Sequence, residues 1–416
     1  MLHVPEYYEY CCRVKVVAGH DVLERIPAIL ERVHATRPMI VTDRGVAGAG
    51  LIDVMTEAMD DQVIIGGIED DVPPDSSLEV VKRIAESYRN NGCDALIAVG
   101  GGSVLDTAKG VNIMVSEETD DPLAFSGVGT LKRRLKPMIA IPTTAGTGSE
   151  TTMVAVIKDH KRRQKMFFLS YFLLPDVALI DSRMTLTLPP AITAATAMDA
   201  LTHAMEAYTC LAKNPLSDSC ALSAIELIIQ NLMPVMKQPD YHDGRLGLAV
   251  AATMAGMAFS NAMVGMVHSL GHALGAVCGI PHGIAMAILL PYGLEYNLHR
   301  NGNLTAELLL PIEGADVYAR TPHNQRAQIV IKRIRELNQS LHEITNGKHP
   351  RFLREIYDSN GNIAVPTDNF PDIITAAKND GTLVINPEDL DGEDFKMVLE
   401  NAWAGTPLDC TRIKRG

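Results

Sequence analysis

The sequence predicts an α/β protein in two parts, a parallel sheet covered by helices and then an all-helical region. Three observations carry that expectation. Up to about residue 188, short β-branched runs alternate with amphipathic stretches; after the Leu-Pro-Pro at 188–190 such runs stop; long Ala-, Leu- and Met-rich helical patterns follow.

The predicted strands are MIVTD (39–43), QVIIGG (62–67), DALIAVG (94–100), PMIAIP (137–142) and VALID (177–181). Between the second and third, residues 76–92 place Leu78, Val81, Ile84 and Tyr88 at helical intervals and stop at a glycine. A strand, helix, strand unit with parallel pairing leaves a crevice at the carboxyl ends of its strands. In the second part, residues 216–236 and 393–403 read as helices. Residues 346–386, richer in Pro, Asn, Asp and Gly, are expected to form a looped connection. The expected division is an α/β domain over 1–188 and an all-helical domain over 189–416, with no internal repeat.

Composition narrows the class. The chain has 416 residues, 47% hydrophobic and 21% charged, which suits two or three folded domains rather than a disordered chain. Lys plus Arg number 37 against 50 for Asp plus Glu, a net charge of −13, so a phosphate-tracking surface is not expected and nucleic acid is excluded as a partner. Seven scattered cysteines, Cys11, Cys12, Cys93, Cys210, Cys220, Cys278 and Cys410, form no C-x-x-C pair, which argues against a disulfide framework or a thiolate zinc site. The N-terminal stretch MLHVPEYYEYCCRVKV lacks the pattern of a secretory signal, and a cytoplasmic location is expected. From Leu246 to Leu294 no Asp, Glu, Lys or Arg occurs, yet the run holds His268, His272 and His282 and is built mainly of Ala, Gly and Met. It is expected to pack within a protein interior rather than in a membrane.

Two loops point to a nucleotide. GGGSVLDTAKG (100–110) lies between a buried strand and a helical pattern. Its three glycines allow close backbone approach, and Ser103 is expected to cap the following helix, whose N-terminal N–H groups favour an anion such as a pyrophosphate. The spacing is not that of G-x-G-x-x-G. IPTTAGTGSET (141–151) carries five hydroxyls and two glycines at another strand end.

A third constellation is metal-like. Asp199 and His203 stand four apart in MDALTHAMEAY, as do His268 and His272 in VHSLGHALGAVCGIPHG, and His282 follows Pro281 at an expected helix start. Residues four apart share a helix face. A single buried histidine is ordinarily a satisfied hydrogen-bonder, but four with an aspartate in apolar surroundings point to an ion, and oxygen plus imidazole donors suit Fe²⁺ or Zn²⁺. Cys278 reads as a small buried hydrophobe, not a ligand.

Taken in order, GGGSVLDTAKG, PTTAGTGSET, MDALTHAMEAY and VHSLGHALGAVCGIPHG resemble the iron-containing (group III) alcohol dehydrogenase family. The resemblance implies a Rossmann-like dinucleotide-binding domain followed by a helical domain, the architecture of dehydroquinate synthase, with an active site in the cleft between them. It implies that Asp199, His203, His268 and His282 hold the metal, Fe²⁺ or alternatively Zn²⁺. His272 is left unligated near the nicotinamide, where it would transfer a proton. Gly100, Gly101, Gly102 and Ser103 would hold the pyrophosphate; Thr143, Thr144 and Thr147 would line the cofactor cleft; Lys165 would reach the ribose. Asp43 matches the position whose carboxylate accepts the adenosine ribose hydroxyl and repels a 2′-phosphate, which favours NAD over NADP. Ala197 departs from the family's usual glycine before Met198 and Asp199.

The implied activity is an NAD(P)-dependent alcohol dehydrogenase or aldehyde reductase, in which the metal polarises the substrate oxygen while hydride moves between carbon and nicotinamide. The alternatives are a metal- and NAD-dependent lyase or cyclase of the dehydroquinate synthase type, a glycerol-type polyol dehydrogenase and a non-catalytic assembly protein. A homodimer or larger homo-oligomer is expected from the sparsely charged helices.

Overall fold

The structure, a computed structural model, describes residues 4–60, 62–160, 164–409 and 413. The first three residues of the N-terminal stretch and Cys410 lie outside them. The chain forms two compact units. One comprises Cys11–Leu188 and Pro239–Ser260, the other Met1–Tyr10, Pro189–Gln238 and Asn261–Gly416.

Among the described residues the first unit has nine strands: β1 (Lys15–Gly19), β2 (Pro38–Val41), β3 (Gly67–Glu69), β4 (Ala95–Gly100), β5 (Gly127–Val128), β6 (Met138–Pro142), β7 (Val154–Asp159), β8 (Gln164–Leu169) and β9 (Val177–Asp181). Six form a wholly parallel sheet in the order β1-β9-β6-β4-β2-β3. All six residues of β4 are buried. Leu96 and Ala98 join a core with the helices Leu78–Asn90 and Gly102–Ser116, whereas Ala95, Ile97 and Val99 join another with Ile26–Arg32 and Leu51–Met59. Period-two alternation between two apolar faces is the reason this strand reads as a continuous hydrophobic run. From β2 the chain turns outward to β3, and from β4 it runs the other way to β6, so the sheet reverses direction between β2 and β4. Asp43 follows β2 and the triple glycine ends β4 at that reversal, where open parallel sheets bind ligands.

The second sheet, β5-β8-β7, pairs β7 with β8 antiparallel. Neither β1 nor this sheet is predicted from the sequence. The expected strand over 62–67 is displaced: pairing with β2 begins only at Gly66, whose N–H donates to Pro38 O, and the strand itself is Gly67–Glu69. β2 spans only four residues, and Ile64 is 68% exposed.

The second unit is helical. Pro190–Thr209 packs along both Pro215–Lys237 and His282–Tyr296, and Met266–Cys278 packs on His282–Tyr296. Gly283 makes one contact possible, because a Cβ there would lie 2.4 Å from the carbonyl oxygen of Ala195. Pro215–Lys237 is, among the described residues, the one unbroken helix long and apolar enough to cross a bilayer. The charge-free run beginning at Leu246 is broken after Ala262, where Met263 takes a left-handed φ of 69°. Residues 346–386 are not loop throughout, for Phe370–Lys378 is helical and buries Phe370, Ile373 and Ala377.

Candidate metal and nucleotide sites

Asp199 and His203 lie one turn apart on Pro190–Thr209, a helix opened by Pro190 in its first turn. His268 stands in the first turn of Met266–Cys278, and His282 is the first residue of His282–Tyr296. The three helices bring one potential donor atom from each of the four residues within 4.8 Å of one another. Nε2 of His282 lies 3.2 Å, and Nε2 of His203 4.0 Å, from Oδ1 of Asp199. The His203 and His268 rings stack at 4.6 Å, and His268 and His282 lie 5.4 Å apart. Cys278 stays outside this cluster and is half-buried.

Burial pushes His203 down to about 3 and His268 well below its usual range, so both imidazoles are neutral with a lone pair to offer. Burial pushes the Asp199 carboxyl up, but the His203 and His282 imidazoles outweigh it and hold the group low, as a carboxylate. His268 Nε2 is buried without a hydrogen-bond partner among the described residues. An isolated polar atom of this kind is costly, and a cation bound among these donors would satisfy it. Three imidazoles and a carboxylate therefore fit a divalent first-row ion.

His272 sits beside this group. Its ring stacks on His282 at 5.4 Å and 18°, and its Nδ1 lies 2.8 Å from Oδ2 of Asp380. No sequence motif marks Asp380. Glu206 was also missed, although its place seven residues after Asp199 puts it on the same helix face. Its Oε2 lies 2.6 Å from Nδ1 of His268, and burial pushes its carboxyl up to about 7.

In the sheet-bearing unit, the predicted nucleotide residues gather at strand ends. Gly100 closes β4, and Gly101 is the N-cap of Gly102–Ser116 without a side-chain cap. Ser103 is therefore not the cap: it lies inside the helix, and its hydroxyl donates to Pro74 O. Cβ atoms at Gly101 and Gly102 would lie 3.4 Å from Thr144 and 2.8 Å from Thr147, so the glycine and threonine loops touch. Thr143 donates its N–H to Gly100 O at 3.1 Å. Asp43 caps Arg44–Gly48, its Oδ1 accepting from the N–H groups of Gly45 and Val46. Lys165, on β8, pairs with Asp75 at 3.6 Å.

Another unpredicted pair fixes the threonine loop. Lys109 is 1% exposed and donates to Ser149 Oγ, Thr152 O, Thr152 Oγ1 and Val154 O. Asp106 accepts from Ser149 Oγ and from the Val156 N–H. Burial pushes Lys109 down to about 8.

This combination of a doubly wound sheet, a triple-glycine helix start and a four-donor helical cluster defines a class of metal- and nucleotide-binding α/β-plus-helical proteins. A family model described as iron-containing alcohol dehydrogenase matches residues 14–182, and one described as the Fe-containing alcohol dehydrogenase family, C-terminal, matches residues 193–403. The chain belongs to the iron-containing alcohol dehydrogenase family. It is 38% identical over 233 residues to alcohol dehydrogenase 4 of Schizosaccharomyces pombe, covering 56% of this chain and 55% of the relative. To 1,3-propanediol dehydrogenase of Citrobacter freundii it is 38% identical over 240 residues, covering 56% of this chain and 61% of the relative. The matched stretches thus span less than two thirds of those relatives. The solved structure of a 1,3-propanediol oxidoreductase superposes with a TM-score of 0.89 at 30% identity, covering 96% of this chain and all of the other. An alcohol dehydrogenase from Oenococcus oeni gives 0.87 at 30% identity, covering 95% of this chain and all of the other.

Proposed function

We propose that this chain is a metal-dependent alcohol dehydrogenase, running also as an aldehyde reductase, that exchanges hydride between a primary alcohol or diol and NAD. The observation that carries the proposal is the convergence of Asp199, His203, His268 and His282 within 4.8 Å. Family membership and relatives named as alcohol and 1,3-propanediol dehydrogenases support it.

Asp199, His203, His268 and His282 would hold the ion, Fe²⁺ or Zn²⁺. A Lewis-acidic divalent ion polarises an alcohol or carbonyl oxygen, which favours hydride loss or gain at the adjacent carbon. His272 accepts the hydroxyl proton in the alcohol direction and returns one in the aldehyde direction, with Asp380 holding its Nδ1 so that Nε2 is the exchanging atom. The backbone around Gly100, Gly101, Gly102 and Ser103 takes the pyrophosphate at the helix N-terminus. Thr143, Thr144 and Thr147 line the cofactor, Lys165 reaches its ribose, and Asp43 selects NAD through its second carboxylate oxygen. The functional division falls near residue 188, nucleotide residues before it and metal donors after it. We place the protein in the cytoplasm, as a homo-oligomer.

The deciding experiment purifies the full chain without oxygen, loads it with Fe²⁺ or Zn²⁺ and follows nicotinamide reduction with short alcohols, diols and hydroxy acids. Metal-dependent, stoichiometric formation of NADH is expected. Tight NAD and metal binding with no net reduction across the panel would overturn the proposal and favour the lyase chemistry, in which the cofactor is regenerated each cycle.

A further inference from the structure

We infer that Glu206 is a positioning residue for the metal centre, fixing which nitrogen of His268 faces the donor cluster. The inference rests on the metal assignment proposed above. Pro190–Thr209 carries Asp199, His203 and Glu206 at positions i, i+4 and i+7, one continuous face. Two of these three lie in the four-donor cluster, and the third is not a member of it.

Glu206 instead reaches the neighbouring helix. It is 7% exposed, its Oε1 accepts from the N–H of Val267 at 2.8 Å, and its Oε2 lies 2.6 Å from Nδ1 of His268. With Oε1 taken by the Val267 N–H, Oε2 engages Nδ1, so Nε2 is the nitrogen left to face the donor cluster. That Nε2 is the atom buried without a partner among the described residues. The His268 ring is further boxed by His203 at 4.6 Å and His282 at 5.4 Å. Ring direction, and with it the nitrogen that faces the cluster, is thus set before any ion arrives, the usual task of a carboxylate behind a histidine ligand.

The same carboxylate replaces a missing cap. Met266–Cys278 has Gly265 at its N-cap and no side-chain cap of its own. Glu206 takes the Val267 N–H, and Asn386 Oδ1 takes the Met266 N–H at 3.1 Å. A Cβ at position 265 would lie 2.7 Å from Asn386 Oδ1 and 3.1 Å from Glu206 Oε1, so the glycine lets both side chains reach the backbone. His268 lies in that anchored first turn.

The test measures zinc affinity by chelator competition on the full chain stripped of metal, alongside Tm. Glu206→Ala is expected to weaken zinc binding roughly 10- to 100-fold. Glu206→Gln has one acceptor oxygen for two N–H groups and is expected to fall between Ala and the parent. Asn386→Ala removes the neighbouring cap without touching His268, and should lower Tm while zinc affinity stays within about twofold. A role confined to capping would make both Glu206 variants behave like Asn386→Ala, which overturns the inference. If Glu206→Ala does not fold, parental affinity in Glu206→Gln overturns it equally. Zinc binding by the parent that survives His268→Ala would instead sink the metal assignment itself.

Discussion

Nδ1 of His272 lies 2.8 Å from Oδ2 of Asp380, a carboxylate 108 residues further along the chain. The other oxygen, Oδ1, accepts from the N–H and the hydroxyl of Thr382, so the carboxylate is itself held on both sides. The His272 imidazole holds the Asp380 carboxyl below the usual range against the upward push of its burial. His272→Ala should lower kcat by roughly 10²- to 10⁴-fold with bound metal unchanged. Asp380→Ala should lower it by about 10- to 100-fold. The double variant should be no slower than His272→Ala, since both act through one ring. Strictly additive losses in steady-state kinetics would show that Asp380 does not act through His272.

Gly283 is the second point of leverage. Backbone cannot move aside for the Cβ that Gly283→Ala would place 2.4 Å from Ala195 O, so the two helices must separate and carry His282 away from Asp199. A loss of about 1–3 kcal/mol in unfolding free energy is expected, together with weaker zinc binding. Gly275→Ala is the control. Its nearest contact would be Ile280 O at 3.5 Å, and Ala is the better helix former by up to about 1 kcal/mol, so Tm should hold or rise. Equal Tm and zinc affinity in Gly283→Ala and parent would contradict the close helix contact.

Asp43 separates capping from cofactor choice. Asp43→Ser keeps an acceptor for the Gly45 and Val46 N–H groups that Oδ1 now serves, but removes the negative charge. Stability should change by no more than about 0.5 kcal/mol. The ratio of kcat/KM with NADP to that with NAD should rise by about tenfold or more, as loss of one charge repulsion near 1.4 kcal/mol implies. An unchanged ratio removes Asp43 from cofactor selection.

Acid sensitivity is expected at His349, remote in sequence from the metal donors. The ring is fully buried, Nε2 bonds Asn338 Oδ1 at 3.2 Å, and Nδ1 has no partner among the described residues. Burial first, and the neighbouring His342 second, push its pKa from 6.5 to about 4. Between those values the unfolded chain binds the extra proton. Stability contributed by the neutral ring is therefore complete above pH 6.5 and drains away as pH falls to about 4, by up to about 3 kcal/mol. Urea unfolding at pH 7 and pH 5 should show a smaller drop for His349→Gln than for the parent, whatever the variant's absolute stability.

Much of this architecture is written locally. β4, β6 and β9 are buried on both faces and so appear as unbroken apolar runs, and MDALTHAMEAY declares a donor pair at helical spacing. The hairpin of β7 and β8 was not legible because β7 alternates half-buried and buried residues, and Lys158 and Asp159 interrupt its polarity pattern. Ser103 looks like a cap because a hydroxyl follows the glycines, but the cap falls two residues earlier, at Gly101, and the hydroxyl is drawn to Pro74. Asp380, Asn386 and the bond from Glu206 to His268 were illegible for a different reason. Each joins residues 62 to 120 positions apart, and no periodicity records such a meeting.

Five residues, Gly381–Ile385, separate the carboxylate that grips His272 from the amide that caps Met266. Both ends of this short turn are tied to the same helix at two heights. Adding or removing one residue between them would release at least one tie, so its length is as constrained as its composition is free. Loop grafts meant to reshape substrate preference should accordingly leave the count from 381 to 385 alone and seek variation elsewhere in the C-terminal third.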